Sequence, residues 1–133
     1  MRLTVLALAM FAVPAGAQDR PLTAEEFEAF TRGGTFAHDT ETGVPYGAEI
    51  YLPGRRVIWH FLDERACRPG HWYPEGAAIC FAYDEDIDGD GPECWLYFEA
   101  GDQLRAIHVD SGFVAFLRPP APDEEITCPG FGA

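Results

Sequence analysis

The stretch CWLYFEAGDQLRAIHVDSGFVAFLR, residues 94–118, decides the fold class. It holds three short runs rich in aromatic and β-branched residues, 94–99, 103–109 and 113–118. Gly101-Asp102 separates the first two, and Asp110-Ser111-Gly112 the last two. Such runs, bounded by Gly, Asp and Ser, read as strands joined by tight turns.

The same texture extends upstream to Gly34. Residues 46–52 alternate, with Tyr46, Ala48, Ile50 and Leu52 on one face and Glu49 on the other, and Pro53-Gly54 turns the chain. Residues 56–62 place Val57, Trp59 and Phe61 on one face and Arg56 and His60 on the other. A polar loop, 63–70, holds Cys67. A short strand, 71–73, turns at Pro74-Glu75-Gly76 into another, 78–83, and residues 35–38 add one more at the start. The spacing predicts a mainly β protein: an antiparallel meander of seven or eight strands. Closure into a small up-and-down barrel removes the exposed edges. Trp95 to Phe98 are consecutive apolar residues, so the outer face of such a strand needs cover, from the helix, the tail or an interface.

One short helix precedes the strands. Thr23 is a good N-cap, Glu26 sits where a capping box requires it, and Leu22 and Phe27 can staple the entry. Phe27 and Phe30 share a face, and Gly33-Gly34 end the segment, which reads as a lid or plug. Before it, Met1-Arg2, an apolar run 3–13, Pro14 and Ala15-Gly16-Ala17 have the layout of a secretory signal peptide, 1–17, cleaved after Ala17. The run is too short to span a bilayer. The expected organisation is a helix-plus-barrel domain over 18–118 and a Pro-rich acidic tail over 119–133. The expected location is periplasmic or extracellular, with no membrane span after cleavage.

The chain carries 22 acidic and 9 basic residues, a net charge of −13, and every basic residue is arginine. Such a surface repels nucleic acid and anionic lipid. The four cysteines, Cys67, Cys80, Cys94 and Cys128, read as two disulfides in an exported domain. They lack the close Cys-x-x-Cys spacing of a zinc site. If 84–93 is a hairpin loop, Cys80 and Cys94 face each other across it, and Cys67 is left to Cys128. The rival pairing of Cys67 with Cys80 is less well registered on its turn and stays open.

The loop DEDIDGDGPE, residues 84–93, holds six carboxylates and no base. Asp84, Asp86, Asp88 and Asp90, with Gly89, match the first half of a calcium loop, and Glu93 could add a late carboxylate. Trp95 stands where a bidentate Glu belongs, and no helices flank the loop, so this is not an EF-hand. The two readings are a weak Ca2+ site or a solvated, screened loop.

Histidines 38, 60, 71 and 108 are the groups poised near neutral pH. His38-Asp39 and His108-x-Asp110 could each orient an imidazole. Ser111, the one serine, lies in a turn, and no metalloprotease or phosphate-loop motif occurs. The many aromatics favour a filled barrel; the alternative is room for one small ligand.

At HWYPEGAAIC…ECWLYFEAGD, within residues 71–102, the chain resembles small exported alphaproteobacterial β-domains of unassigned function. Its expected topology is similar to lipocalin-like barrels and to bacterial metalloprotease inhibitors of that shape. The resemblance implies a barrel and carries no catalytic residue. The expected function is a secreted or periplasmic, non-catalytic binding or interaction domain. Its partner would be an unknown protein or a small apolar ligand. The alternatives are a small periplasmic hydrolase using a His-Asp pair and a protease-inhibitor-like barrel.

Overall fold

The computed structural model describes residues 20–128. The signal peptide read over 1–17, and the end of the tail, 129–133, lie outside the described residues. One helix, α1 (Ala24–Thr31), leads into β1 (Thr35–Thr40), β2 (Pro45–Leu52), β3 (Arg56–Phe61), β4 (Cys67–Glu75), β5 (Ala78–Tyr83), β6 (Glu93–Ala100), β7 (Gln103–His108) and β8 (Val114–Arg118). Consecutive strands pair antiparallel, and β8 returns to β1 to close an eight-stranded barrel. Closure sets Ala37 opposite Arg118 and Thr40 opposite Ala115. Among the described residues, no edge strand is left to pair with another chain.

The polar loop expected over 63–70 is shorter than its composition indicates. Strand β4 begins at Cys67, with Cys67 opposite His60 and Pro69 opposite Ile58. Cross-strand partners on β3 override the low β propensity of this stretch.

Helix α1 plugs one end of the barrel. The capping box forms: Glu26 N–H donates to Thr23 Oγ1 at 3.2 Å, and Thr23 N–H donates to Glu26 Oε1 at 3.1 Å. Leu22 N–H donates to the Tyr97 carbonyl at 2.7 Å, which fixes the entry to α1 against β6. Phe27 is fully buried and meets Trp72 edge-on with centroids 5.2 Å apart, Tyr97 at 4.5 Å and Tyr51 at 5.8 Å. With Val57, Ile79, Leu104 and Leu117 these rings fill the lower half of the barrel. Arg55, in the β2–β3 turn, lies over the Trp72 ring and pairs with Glu28 of α1 at 3.2 Å, so the plug is also clipped from outside.

Both disulfides form as the hairpin register requires. Cys80 and Cys94 are direct partners across β5 and β6 and are bonded. Cys67 is bonded to Cys128 and ties down the tail. Arg118 strengthens the tether by pairing with Asp39 of β1 at 2.7 Å and by donating to Glu124 Oε2 at 3.1 Å. This is the side where the outward residues Ala37, Ala48 and Ile58 are buried. On β6, whose consecutive apolar residues 95–98 ask for outer cover, Trp95 and Tyr97 line the interior, while Leu96 and Phe98 stay half-buried. Among the described residues, no helix is long and apolar enough to cross a membrane.

Candidate functional site

The upper half of the barrel, opposite α1, is hollow. A cavity of about 400 Å³ lies between the Phe27 layer and the loops β1–β2, β3–β4, β5–β6 and β7–β8. The filled interior expected from the aromatic content therefore describes only the lower half. The upper rings stand around the space: Trp59, Trp95, Tyr46, Tyr83 and Phe113 line it, with Tyr51, Phe81 and Tyr97 towards the plug. They brace one another edge-on, as in Tyr46–Phe113 at 5.8 Å and Trp59–Phe61 at 5.1 Å. A wall of mutually packed rings holds its shape without a ligand.

Strand β2 turns its unexpected face inward. The alternation of 46–52 holds from Ala48 onward, with Glu49, 2% exposed, and Tyr51 lining the cavity and Ala48 on the covered outer face; it breaks at Tyr46, which also lines the cavity, next to the register shift opposite His38 and Asp39. Strand parity is visible in a sequence; which parity faces the interior depends on what covers the other side. Glu49 accepts hydrogen bonds from the Tyr83 hydroxyl, at 3.3 Å to Oε1 and 3.2 Å to Oε2. Burial pushes the Glu49 carboxyl well above the usual carboxylate range, and the Tyr83 hydrogen bond only partly opposes that. Deeper in, the Tyr51 hydroxyl is buried without a hydrogen-bond partner among the described residues.

Two glycines make room for this arrangement. A side chain at Gly47 would overlap the Trp59 indole, and a Cβ at Gly70 would sit 2.5 Å from the Ala82 carbonyl oxygen and 2.9 Å from the Tyr83 ring. Gly47 lets Trp59 lie across β2, and Gly70 lets Tyr83 lie across β4 towards Glu49. An isolated glycine inside a strand pattern is the one sequence signal for such a close approach.

His38 also lines the cavity. Its Nδ1–H donates to the Phe36 carbonyl at 3.1 Å, which leaves Nε2 as an acceptor. Burial lowers its pKa to about 4, so the ring is neutral at pH 7. The expected His38–Asp39 pair does not form, because adjacent residues on a strand point to opposite faces. Asp39 pairs with Arg118 instead.

The acidic loop forms the rim. Glu85, Asp86, Asp88, Asp90 and Glu93 border the mouth. Of the residues read as a Ca2+ site, Asp84 pairs with Arg56 at 2.8 Å, Asp88 with Arg68 at 3.2 Å, and Asp86 accepts from Gly91 N–H at 3.2 Å. Glu93 pairs with His108. The sequence holds no base between Arg68 and Arg105, yet the fold brings Arg56 and Arg68 to the loop from β3 and β4. Among the described residues, two groups bring three possible ligand atoms within 4.8 Å of one another. Each includes a disulfide-bonded cysteine, and neither includes a carboxylate of this loop.

The His108-x-Asp110 pair is also replaced. Ser111 N–H donates to His108 Nδ1 at 3.1 Å and Ser111 Oγ lies 2.8 Å from the same nitrogen, while Nε2 faces Glu93. The β7–β8 turn folds Ser111 back onto His108, and the β6–β7 pairing places Glu93 nearby.

No protein-family model, curated protein or solved structure matches this chain.

Proposed function

We propose that this protein is an exported, non-catalytic barrel that binds one small, largely apolar molecule. The observation that carries this reading is the cavity of about 400 Å³ above the Phe27 plug, walled by braced aromatic rings. That volume falls in the range of small-molecule sites, and an eight-stranded barrel has room for one such ligand. A location in the periplasm or outside the cell is supported by two formed disulfides. Titration with N-phenyl-1-naphthylamine tests the reading. Saturable one-to-one fluorescence enhancement is expected, lost in Ala106→Leu, which fills the cavity from β7. A folded protein that shows no saturable enhancement overturns it.

A second reading, hydrolysis at Ser111, has one observation in its favour: the Ser111 hydroxyl, His108 and Glu93 are linked in sequence. A hydroxyl beside an imidazole that is held by a carboxylate is the arrangement of an activated nucleophile. Ser111 Oγ also accepts from Phe113 N–H at 3.2 Å, which is how a serine stabilises a turn. Release of nitrophenol from a p-nitrophenyl ester, abolished in Ser111→Ala, would establish hydrolysis; equal rates in the two proteins would reject it.

A further inference from the structure

We infer that the cavity takes a molecule bearing a protonated amine on an apolar body, with the ammonium at Glu49 and the body among the rings. This rests on the reading of the barrel as a ligand binder and names the class of ligand.

Glu49 is a carboxyl group in the wall of an apolar cavity, 2% exposed, with the Tyr83 hydroxyl as its hydrogen-bond donor. A carboxylate offers about four lone-pair sites, so one phenol leaves acceptor capacity unused. A buried ionisable group without a charge partner is costly unless a partner arrives or it takes a proton. An ammonium supplies both a counter-charge and several donors. The Tyr51 hydroxyl, buried on the same strand without a partner among the described residues, offers a second polar contact to the same ligand.

The surroundings favour a cation over an anion. Trp59, Trp95, Tyr46, Tyr83 and Phe113 line the cavity, and aromatic rings attract positive charge through their quadrupoles. The rim carboxylates and the net charge of −13 draw cations to the mouth and repel anions. Among the described residues, the one arginine lining the cavity is Arg68, which pairs with Glu64 at 3.0 Å and Asp88 at 3.2 Å and keeps a buried, unpartnered Nε. A fatty-acid-like carboxylate would compete with Glu64 and Asp88 for Arg68 and would face Glu49.

Burial favours the neutral form of Glu49 and raises its pKa. An ammonium beside it acts in the opposite direction and favours the carboxylate. The groups facing it are His38 from β1, Tyr46 and Tyr51 from β2, Arg68 from β4, Tyr83 from β5, and Glu93 and Tyr97 from β6. Burial raises the phenols of Tyr46, Tyr51, Tyr83 and Tyr97 above their ordinary range and lowers His38, which moves these groups away from neutral pH.

Three probes of matched shape test the inference by calorimetry on the oxidised protein: tryptamine (cationic), tryptophol (neutral) and indole-3-acetate (anionic). Tryptamine is expected to bind about tenfold or more tighter than tryptophol, the margin of one favourable ionic contact in an apolar site. Indole-3-acetate is expected to bind weakest. In Glu49→Gln, checked for folding by near-ultraviolet circular dichroism, the preference for tryptamine should vanish while tryptophol still binds. If that variant does not fold, the wild-type protein still decides the matter through buffers of different ionisation enthalpy. Tryptamine should then release protons on binding and tryptophol none. Equal binding of tryptamine and tryptophol, or tighter indole-3-acetate, overturns the amine and keeps the ligand-binding barrel. No binding by any of the three overturns both.

Discussion

The Tyr83 hydroxyl reaches both carboxylate oxygens of Glu49, at 3.3 and 3.2 Å, across the inside of the barrel from β5 to β2. Removing that hydroxyl in Tyr83→Phe leaves a buried carboxyl without its donor. The expected cost is about 1–3 kcal/mol, read from urea denaturation at pH 7. A cost within error of zero would show that Glu49 finds another partner.

The stability of the protein should fall towards acid through His38. Its folded pKa of about 4 lies below the ordinary value of 6.5, so its contribution is complete above pH 6.5 and is lost as pH falls to about 4. The loss amounts to ~3 kcal/mol. Asp39, beside it in the chain, and Tyr46, packed against its ring, are the titratable neighbours. Glu49 has the opposite sign: its folded pKa is raised, so its contribution is present at low pH and is lost as pH rises through the folded value. Denaturant titrations should show a flatter acid limb in His38→Gln and a flatter alkaline limb in Glu49→Gln.

Phe27→Ala should cost about 3–5 kcal/mol, the range for emptying a fully buried aromatic site. Because Phe27 sits between Trp72 and Tyr97, the same change should join the plug region to the cavity and increase binding of an apolar dye. A loss of less than 1 kcal/mol would mean that α1 is not the plug.

The two disulfides close loops of different length, with sequence separations of 14 for Cys80–Cys94 and 61 for Cys67–Cys128. Chain entropy predicts losses of about 3 and about 4 kcal/mol when each is replaced by a pair of serines. Without Cys67–Cys128, amide exchange should rise first at Ala37, Ala48 and Ile58, the buried outward residues of β1 to β3.

Millimolar calcium should leave the melting temperature unchanged, because Asp84 and Asp88 are already met by Arg56 and Arg68. A rise of several degrees, abolished in Asp86→Asn, would instead assign the loop a cation.

Much of the scaffold was legible from residues near one another in the chain. Thr23 and Glu26 announced the cap of α1, and the hairpin centred on Ile87 put Cys80 opposite Cys94. The site was less legible. The loop carboxylates stand out in the sequence, but their counter-ions Arg56 and Arg68 lie 28 and 20 residues from Asp84 and Asp88, on other strands. Glu49 reads only as the polar member of an alternating strand, Gly47 only as a glycine within a β run, and Gly70 only as the end of the polar loop 63–70.

The sequence alone determined the meander, the capped helix and the acidic character, because each follows from contacts between neighbours in the chain or from composition; it favoured Cys80 opposite Cys94, and the fold decided between that pairing and Cys67 with Cys80. Tertiary structure alone decided that Glu49 points inward, that the upper barrel is hollow, and that Arg56 and Arg68 neutralise part of the loop. Those outcomes depend on which face the tail covers and on how large rings from different strands meet around one axis. A period-two pattern specifies which residues share a face and says nothing about which face is inside.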